Sequence, residues 1–197
     1  MMTKSKKERM KHVPNILTVI RILTVPVILA VLMVPWNYDK RFWIAALLFV
    51  LSAATDGLDG HIARKYDAIS NFGKFVDPLA DKLLVISVLT WITAEISANW
   101  MTVVMVITVA REFIISGFRL VAAADGGKVI AAGWLGKIKT VTQYIALTAY
   151  LLFRGAPQQM FLYWAFFAAI ILSAVFSALS CVVYIWKNRE VLKEDVA

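Results

Sequence analysis

The chain reads as an all-α integral membrane protein of six transmembrane helices, preceded by a short basic interfacial segment, with both termini cytoplasmic. Three observations lead there. Of the 197 residues, 60% are hydrophobic and only 17% charged, whereas a soluble domain is about half apolar and about a quarter charged. Mean hydropathy is +0.72. Apolar stretches such as Ile92 to Ala110 and Phe161 to Trp186 reach the roughly 20 residues that cross a hydrocarbon core of about 30 Å.

The first span is placed at Pro14–Pro35. Lys4, Lys6, Lys7, Arg9 and Lys11 before it resemble the basic start of a signal peptide. The apolar run that follows is too long for one, contains Arg21 and lacks an Ala-x-Ala-like exit, so it reads as a retained span behind a basic lipid-anchoring segment. Pro35-Trp36-Asn37 closes it, because the residue before a proline disfavours the helical region. The second and third spans are placed at Arg41–Arg64 and Phe72–Ala94, the fourth at Asn99–Ala123. Asp125-Gly126-Gly127 and Gly155-Ala156-Pro157 are turn sequences, which leaves Trp134–Phe153 and Gln159–Lys187 as the fifth and sixth. The resulting organisation is a basic juxtamembrane segment at 1–13, one six-helix transmembrane domain at 14–187 and a tail at 188–197, with no internal repeat.

Lysine and arginine set the orientation. The N-terminal segment, the second connection (Lys65, Lys74), the fourth (Lys128) and the tail (Lys187, Arg189, Lys193) are basic, against Lys40, Arg41 and Arg154 opposite. The positive-inside rule puts both termini and the second and fourth connections in the cytoplasm. Trp36, Trp43, Trp91, Trp100 and Trp164 then form an outer aromatic belt. A net charge of +8 in such a chain points to anionic headgroups, and nucleic acid is excluded for want of an exposed basic domain. Cys181 stands alone in an apolar stretch and reads as a small buried hydrophobe.

An ionisable group at membrane depth costs about 2.5–3.5 kcal/mol, which makes it a functional candidate. Arg21, Asp56, Asp59, Arg64, Asp77, Asp81, Lys82, Arg111, Glu112, Arg119, Lys137 and Lys139 fall inside or at the ends of spans, nearly all in the cytoplasmic half. Five helices thus direct charge to one depth, and a cavity open to the cytoplasm is expected. Asp56 and Asp59 are spaced i, i+3, Asp77 and Asp81 i, i+4, so each pair shares a helix face. Four such carboxylates cannot all stay ionised at close range without cations between them. Oxygen-only ligands with no His or Cys cluster indicate a hard ion, Mg²⁺ or Mn²⁺. Two such ions commonly serve in-line phosphoryl displacement, with Arg and Lys neutralising phosphate. Gly57, Gly60 and Ala63 leave one side of the second helix without bulk, for close approach of a ligand or of another helix.

The run Asp56-x-x-Asp59-Gly60-x-x-Ala63-Arg64, eight residues, Gly73-x-x-x-Asp77-x-x-x-Asp81 resembles the signature of the CDP-alcohol phosphotransferase family at all eight fixed positions. The resemblance covers essentially the whole chain, since six spans also suit that family. It implies that Asp56, Asp59, Asp77 and Asp81 hold two divalent ions and that Asp81 is also the general base. Asp56, Gly57, Gly60, Ala63, Arg64 and Gly73 would line the site of the CDP-linked donor. An acceptor hydroxyl would attack the phosphate next to the lipid and expel CMP. A homodimer is also implied.

Arg111-Glu112-Phe113, Arg119, Gly136-Lys137-Ile138-Lys139-Thr140, Pro14-Asn15-Ile16-Leu17-Thr18 and Arg21 are similar to the corresponding stretches of bacterial members that join CDP-diacylglycerol to sn-glycerol 3-phosphate. A phosphorylated acceptor needs a cationic subsite, and Arg21, Arg111, Arg119, Lys137 and Lys139 are the candidates. A cardiolipin synthase or an inositol-phosphate transferase of the same family tolerates the same charge; a choline or ethanolamine acceptor does not suit it. Other readings stand beside these. Arg111 and Glu112 either pair to orient the fourth helix or contact substrate. At i, i+2, Lys137 and Lys139 cannot face one direction, so one of them can serve the lipid interface. Lys82 reads as snorkelling or pairing, His61 as a bystander. A cation-coupled transporter also uses intramembrane carboxylates, but it needs polar residues along a path across the bilayer, and the outer halves of these spans are almost free of charge.

Overall fold

Six α-helices, and no strand among the described residues, make up the computed structural model. It describes residues 4–35, 37–66, 71–124 and 133–188, with side chains at 15–35, 37, 39–55, 76–121 and 133–188. In chain order the helices are α1 (Lys4–Met33), α2 (Tyr38–Tyr66), α3 (Asn71–Ile96), α4 (Asn99–Ala124), α5 (Trp134–Gly155) and α6 (Met160–Lys187). Five of them begin and end within three residues of the expected spans. The first does not: α1 starts at Lys4 rather than Pro14. The Lys, Arg, Glu and Met of that basic segment are strong helix formers, so it continues into the span as one helix. Trp36 and the proposed tail from Arg189 onward lie outside the described residues.

The junction of α1 with α2 and the end of α3 are chemically closed. Asn37 caps α2: its Oδ1 accepts from the Lys40 N–H at 3.3 Å and its carbonyl from the Arg41 N–H at 3.2 Å, the usual service of asparagine at this position. Arg41 turns back so that Nη1 donates to the Leu32 carbonyl at 3.2 Å, satisfying a carbonyl orphaned at the end of α1. Ser97 ends α3 with φ 50°. Its N–H donates to Thr93 O at 3.0 Å and its hydroxyl to Ala94 O at 2.7 Å.

The chain divides into two compact units: Met1–Ile92 with Tyr150–Met160, and Thr93–Ala149 with Phe161–Ala197. In the first, α1 and α2 pack side by side. Helix α1 buries Thr18, Arg21, Val25, Ile28 and Leu32, an alternating three–four spacing that draws one stripe down the helix. Helix α2 answers with Phe42, Ala45, Phe49 and Ser52, α3 with Val76, Ala80, Leu84, Val88 and Ile92. Away from that stripe, Ile16, Ile20, Leu23 and Val27 of α1 are exposed, an apolar face suited to lipid. One end of the unit carries an aromatic and cationic cluster. Phe42 meets Trp91 edge-on at 5.8 Å, and the guanidinium carbons of Arg41 and Arg154 lie 4.9 and 5.3 Å from the Phe42 ring centre. Trp43 Nε1 donates to the Gly155 carbonyl at 3.0 Å.

In the second unit α6 buries Phe166, Ala169, Ile170, Ser173, Ala174, Ser177, Ser180 and Tyr184, and the alanines and serines among them are small enough to let helix backbones approach closely. Helix α4 buries Met101, Val104, Thr108, Ile115 and Phe118, and α5 buries Lys139, Gln143, Ala146 and Leu147.

Among the described residues three helical stretches are long and apolar enough to cross a membrane: Asn15–Met33, Asn99–Val121 and Met160–Lys187. The other three helices carry Asp39, Lys40, Arg41, Asp56, Asp59, Arg64 and Lys65 in α2, Lys74, Asp77, Asp81, Lys82 and Glu95 in α3, and Lys137, Lys139 and Arg154 in α5.

Candidate functional site

The carboxylates belong to the first unit. Asp56 and Asp59 lie in the C-terminal part of α2 and Asp77 and Asp81 in the N-terminal part of α3. The side chains of Asp56, Gly57, Asp59, Gly60, Ala63, Arg64 and Gly73 lie outside the described residues; only their helices are given. Asp77 and Asp81, one turn apart on α3, are both partly buried. The Thr18 hydroxyl of α1 donates to Asp77 Oδ1. One turn further along α1, Arg21 is 1% exposed, and its Nε donates to the Ser52 carbonyl of α2 at 3.3 Å. Helix α1 therefore ties α2 and α3 together through polar groups on its otherwise apolar buried stripe.

Among the described residues no group of three His, Cys, Asp or Glu side chains forms, since two of the four aspartates are not in that set. The donors that are described suit a hard divalent ion. Asp77 and Asp81 offer carboxylate oxygen, and the Thr18 hydrogen bond orients one of them, as second-shell partners of metal ligands do.

The other candidate cations lie in the second unit, and the structure separates them. Lys137 is exposed and Lys139 is 4% exposed, on different sides of α5 as i, i+2 spacing requires. Lys139 Nζ donates to Glu112 Oε1 at 2.6 Å and Arg111 Nη1 to the same oxygen at 2.9 Å, with Arg111 and Glu112 only 12% and 14% exposed. Arg111 and Glu112 thus form an ion pair, and Lys139 joins it. Arg111 Nε donates in addition to Ser180 Oγ of α6 at 3.2 Å.

Arg111 and Arg119 share a cavity of about 320 Å³ walled by α4, the first turn of α5 and the last turns of α6. Tyr184 and Lys187 line it too. The Tyr184 ring stands edge-on to Phe118 at 5.8 Å, and the Arg119 guanidinium lies 5.8 Å from its centre. Tyr184 Oη and Arg119 Nε are buried and have no hydrogen-bond partner among the described residues. The N-terminal end of α5 contributes Gly133, Trp134, Leu135 and Gly136 to the wall, where unsatisfied N–H groups and the helix dipole favour negative charge. Two guanidiniums, an ammonium and a helix N-terminus around one cavity are suited to an anion such as phosphate.

Thr18 and Gly136 stand in stretches that carry the resemblance and Lys187 among the basic residues that set the orientation, but none of them, nor Tyr184, has a ligand role assigned by residue type. A signal existed for α6: Ser173, Ser177, Ser180 and Tyr184 recur at four–three–four spacing within an apolar run. That marks the helix's inward face without indicating a ligand.

The fold and these residues define a class. The family model of CDP-alcohol phosphatidyltransferase matches residues 11–186, and the chain belongs to that family of membrane phosphatidyl-transferring enzymes. Among curated relatives, a Bacillus subtilis (strain 168) protein named CDP-diacylglycerol–glycerol-3-phosphate 3-phosphatidyltransferase is 37% identical over 195 residues, covering 93% of this chain and 98% of that protein. Proteins of the same name from Escherichia coli (strain K12) and Salmonella typhimurium (strain LT2) are 37% and 36% identical over 144 residues, 73% of this chain and 78% of each of them.

Proposed function

We propose that this chain transfers the phosphatidyl group of CDP-diacylglycerol to sn-glycerol 3-phosphate, forming phosphatidylglycerophosphate and CMP, as a phosphatidylglycerophosphate synthase does. The observation that carries the choice of acceptor is the cavity bounded by Arg111, Arg119, Lys187 and the N-terminal turn of α5. A phosphorylated alcohol needs such a subsite, and a cationic alcohol would be repelled by it. The names of the relatives agree with this reading.

Asp56, Asp59, Asp77 and Asp81 would hold two divalent ions, Mg²⁺ or Mn²⁺, which when bound supply charge neutralisation for the donor's pyrophosphate. Thr18 fixes the orientation of Asp77. Arg21, on the same face of α1, serves phosphate charge on the carboxylate side, while Arg111 and Arg119 take the acceptor phosphate. Lys139 acts through Glu112, and Lys137 serves the lipid interface. Asp81 accepts the proton of the acceptor hydroxyl as its oxygen bonds to the lipid-side phosphorus. The bond from that phosphorus to the CMP oxygen breaks, and CMP leaves with the electron pair. Asp56, Gly57, Gly60, Ala63, Arg64 and Gly73 line the nucleotide site.

The positive-inside distribution supports six spans, residues 1–13 at the membrane surface and both termini in the cytoplasm. The enzyme sits in the bacterial cell (inner) membrane with its active site facing the cytoplasm, among anionic lipids and as a homodimer. The deciding experiment gives purified protein CDP-diacylglycerol, Mg²⁺ and one acceptor at a time. CMP release with glycerol 3-phosphate is expected. Release only with phosphatidylglycerol or inositol phosphate would replace the acceptor, and no release, with metal-coupled flux in liposomes instead, would overturn the enzyme reading.

A further inference from the structure

Arg111 is held on two sides. Its Nη1 donates to Glu112 and its Nε to Ser180. No described hydrogen bond uses Nη2, so its two N–H groups, with the second N–H of Nη1, are the donors Arg111 has left. Nη2 lies over the first turn of α5, where a Cβ built on Gly136 would meet it at 2.9 Å. Gly136 itself lines the same cavity as Arg111 and Arg119. Its amide donates to the Gly133 carbonyl at 3.0 Å, so the backbone is already committed to the helix and cannot step aside.

We propose that Gly136 is a positioning residue for acceptor binding: its missing side chain lets Arg111 present Nη2 to the acceptor's phosphate. The assignment rests on the reading of this cavity as the acceptor subsite. An alanine at 136 meets the far end of a flexible side chain, not backbone. The fold can therefore absorb it by displacing the guanidinium, and alanine is the better helix former at this position. What is lost is the placement of one charge-assisted donor pair on phosphate. The loss falls on acceptor affinity, because neither the carboxylates of α2 and α3 nor the donor's nucleotide site involves this residue.

The test is steady-state CMP release by the full-length protein in mixed micelles containing CDP-diacylglycerol, with glycerol 3-phosphate varied. Gly136→Ala should raise the KM for glycerol 3-phosphate about tenfold, leaving kcat and the KM for CDP-diacylglycerol within about twofold. Gly117→Ala on α4, where an added Cβ meets nothing within 4 Å, should behave as wild type. In an Arg111→Ala background, adding Gly136→Ala should change the acceptor KM no further, as two residues acting through one group require. That double variant also relieves the close contact, so the comparison stands even if Gly136→Ala alone accumulates poorly. An unchanged acceptor KM in Gly136→Ala, while Arg111→Ala raises it, would overturn the positioning role. So would an equal penalty with and without Arg111, or a joint shift of kcat and both KM values. A wild-type enzyme indifferent to glycerol 3-phosphate, or Arg111→Ala and Arg119→Ala both leaving its KM unchanged, would instead remove the acceptor-subsite reading beneath it.

Discussion

Replacing Glu112 by alanine removes the carboxylate oxygen on which Lys139 and Arg111 converge at 2.6 and 2.9 Å. Lys139 is then an ammonium with 4% exposure and without its short ion pair. Removing one partner of a buried pair costs about 3–5 kcal/mol, chiefly through the charge left behind. Arg111 keeps Ser180 as a partner, and the pair is 12–14% exposed, so the lower end, about 3 kcal/mol, is expected. For a chain of this size that corresponds to a fall in Tm of roughly 6–12 °C. Lys139→Met leaves Glu112 paired with Arg111 and should cost about 1 kcal/mol. The double variant Glu112→Ala/Lys139→Met removes both ends of the ion pair, and its loss should fall well below the sum of the singles. The assay is the thermal melt of the three variants in one detergent, followed by tryptophan fluorescence. Losses that simply add in the double variant would show that Glu112 and Lys139 are not coupled, and the ion-pair account would fail.

Three further outcomes are expected. Asp81→Asn should lower kcat for CMP release by at least about 100-fold with donor binding retained, as loss of a general base does; substantial residual turnover would remove that role. Thr18→Val deletes the hydroxyl that donates to Asp77. The Mg²⁺ concentration for half-maximal activity should rise about tenfold, the usual scale for a lost second-shell partner, and an unchanged metal titration would separate Thr18 from the ion. Trp43→Phe keeps an aromatic ring but loses the 3.0 Å hydrogen bond to Gly155, and should cost about 1 kcal/mol of stability. Its KM values should match wild type, since no contact to a candidate site residue is seen among the described residues; a changed acceptor KM would contradict that.

Most of the helical framework was legible because its causes are local. Apolar runs of bilayer length, Pro35 and the Gly155-Ala156-Pro157 turn each act over a few residues, while Asp125-Gly126-Gly127 lies outside the described residues. The exception, α1, is instructive. Hydropathy marked where a span begins, while helix propensity decided where the helix begins. The family signature was equally legible, being spaced along two adjacent helices.

What residue pattern alone determined is therefore the all-helical class, the aspartate motif and the clustering of cations at candidate positions. Which cation does what was decided by tertiary structure. Thr18 meets Asp77 across 59 residues of sequence, Arg111 meets Ser180 across 69, and Lys139 meets Glu112 across 27. Spacing within one helix says which side chains share a face but not what faces them. Lys139, which by type is a phosphate ligand, is committed to Glu112, whereas Tyr184 and Lys187, unremarkable at the end of an apolar helix, line the cavity with Arg119. The physical reason is that a buried charge is assigned by whichever opposite charge packing brings within hydrogen-bond reach, and packing is settled between helices, not along them.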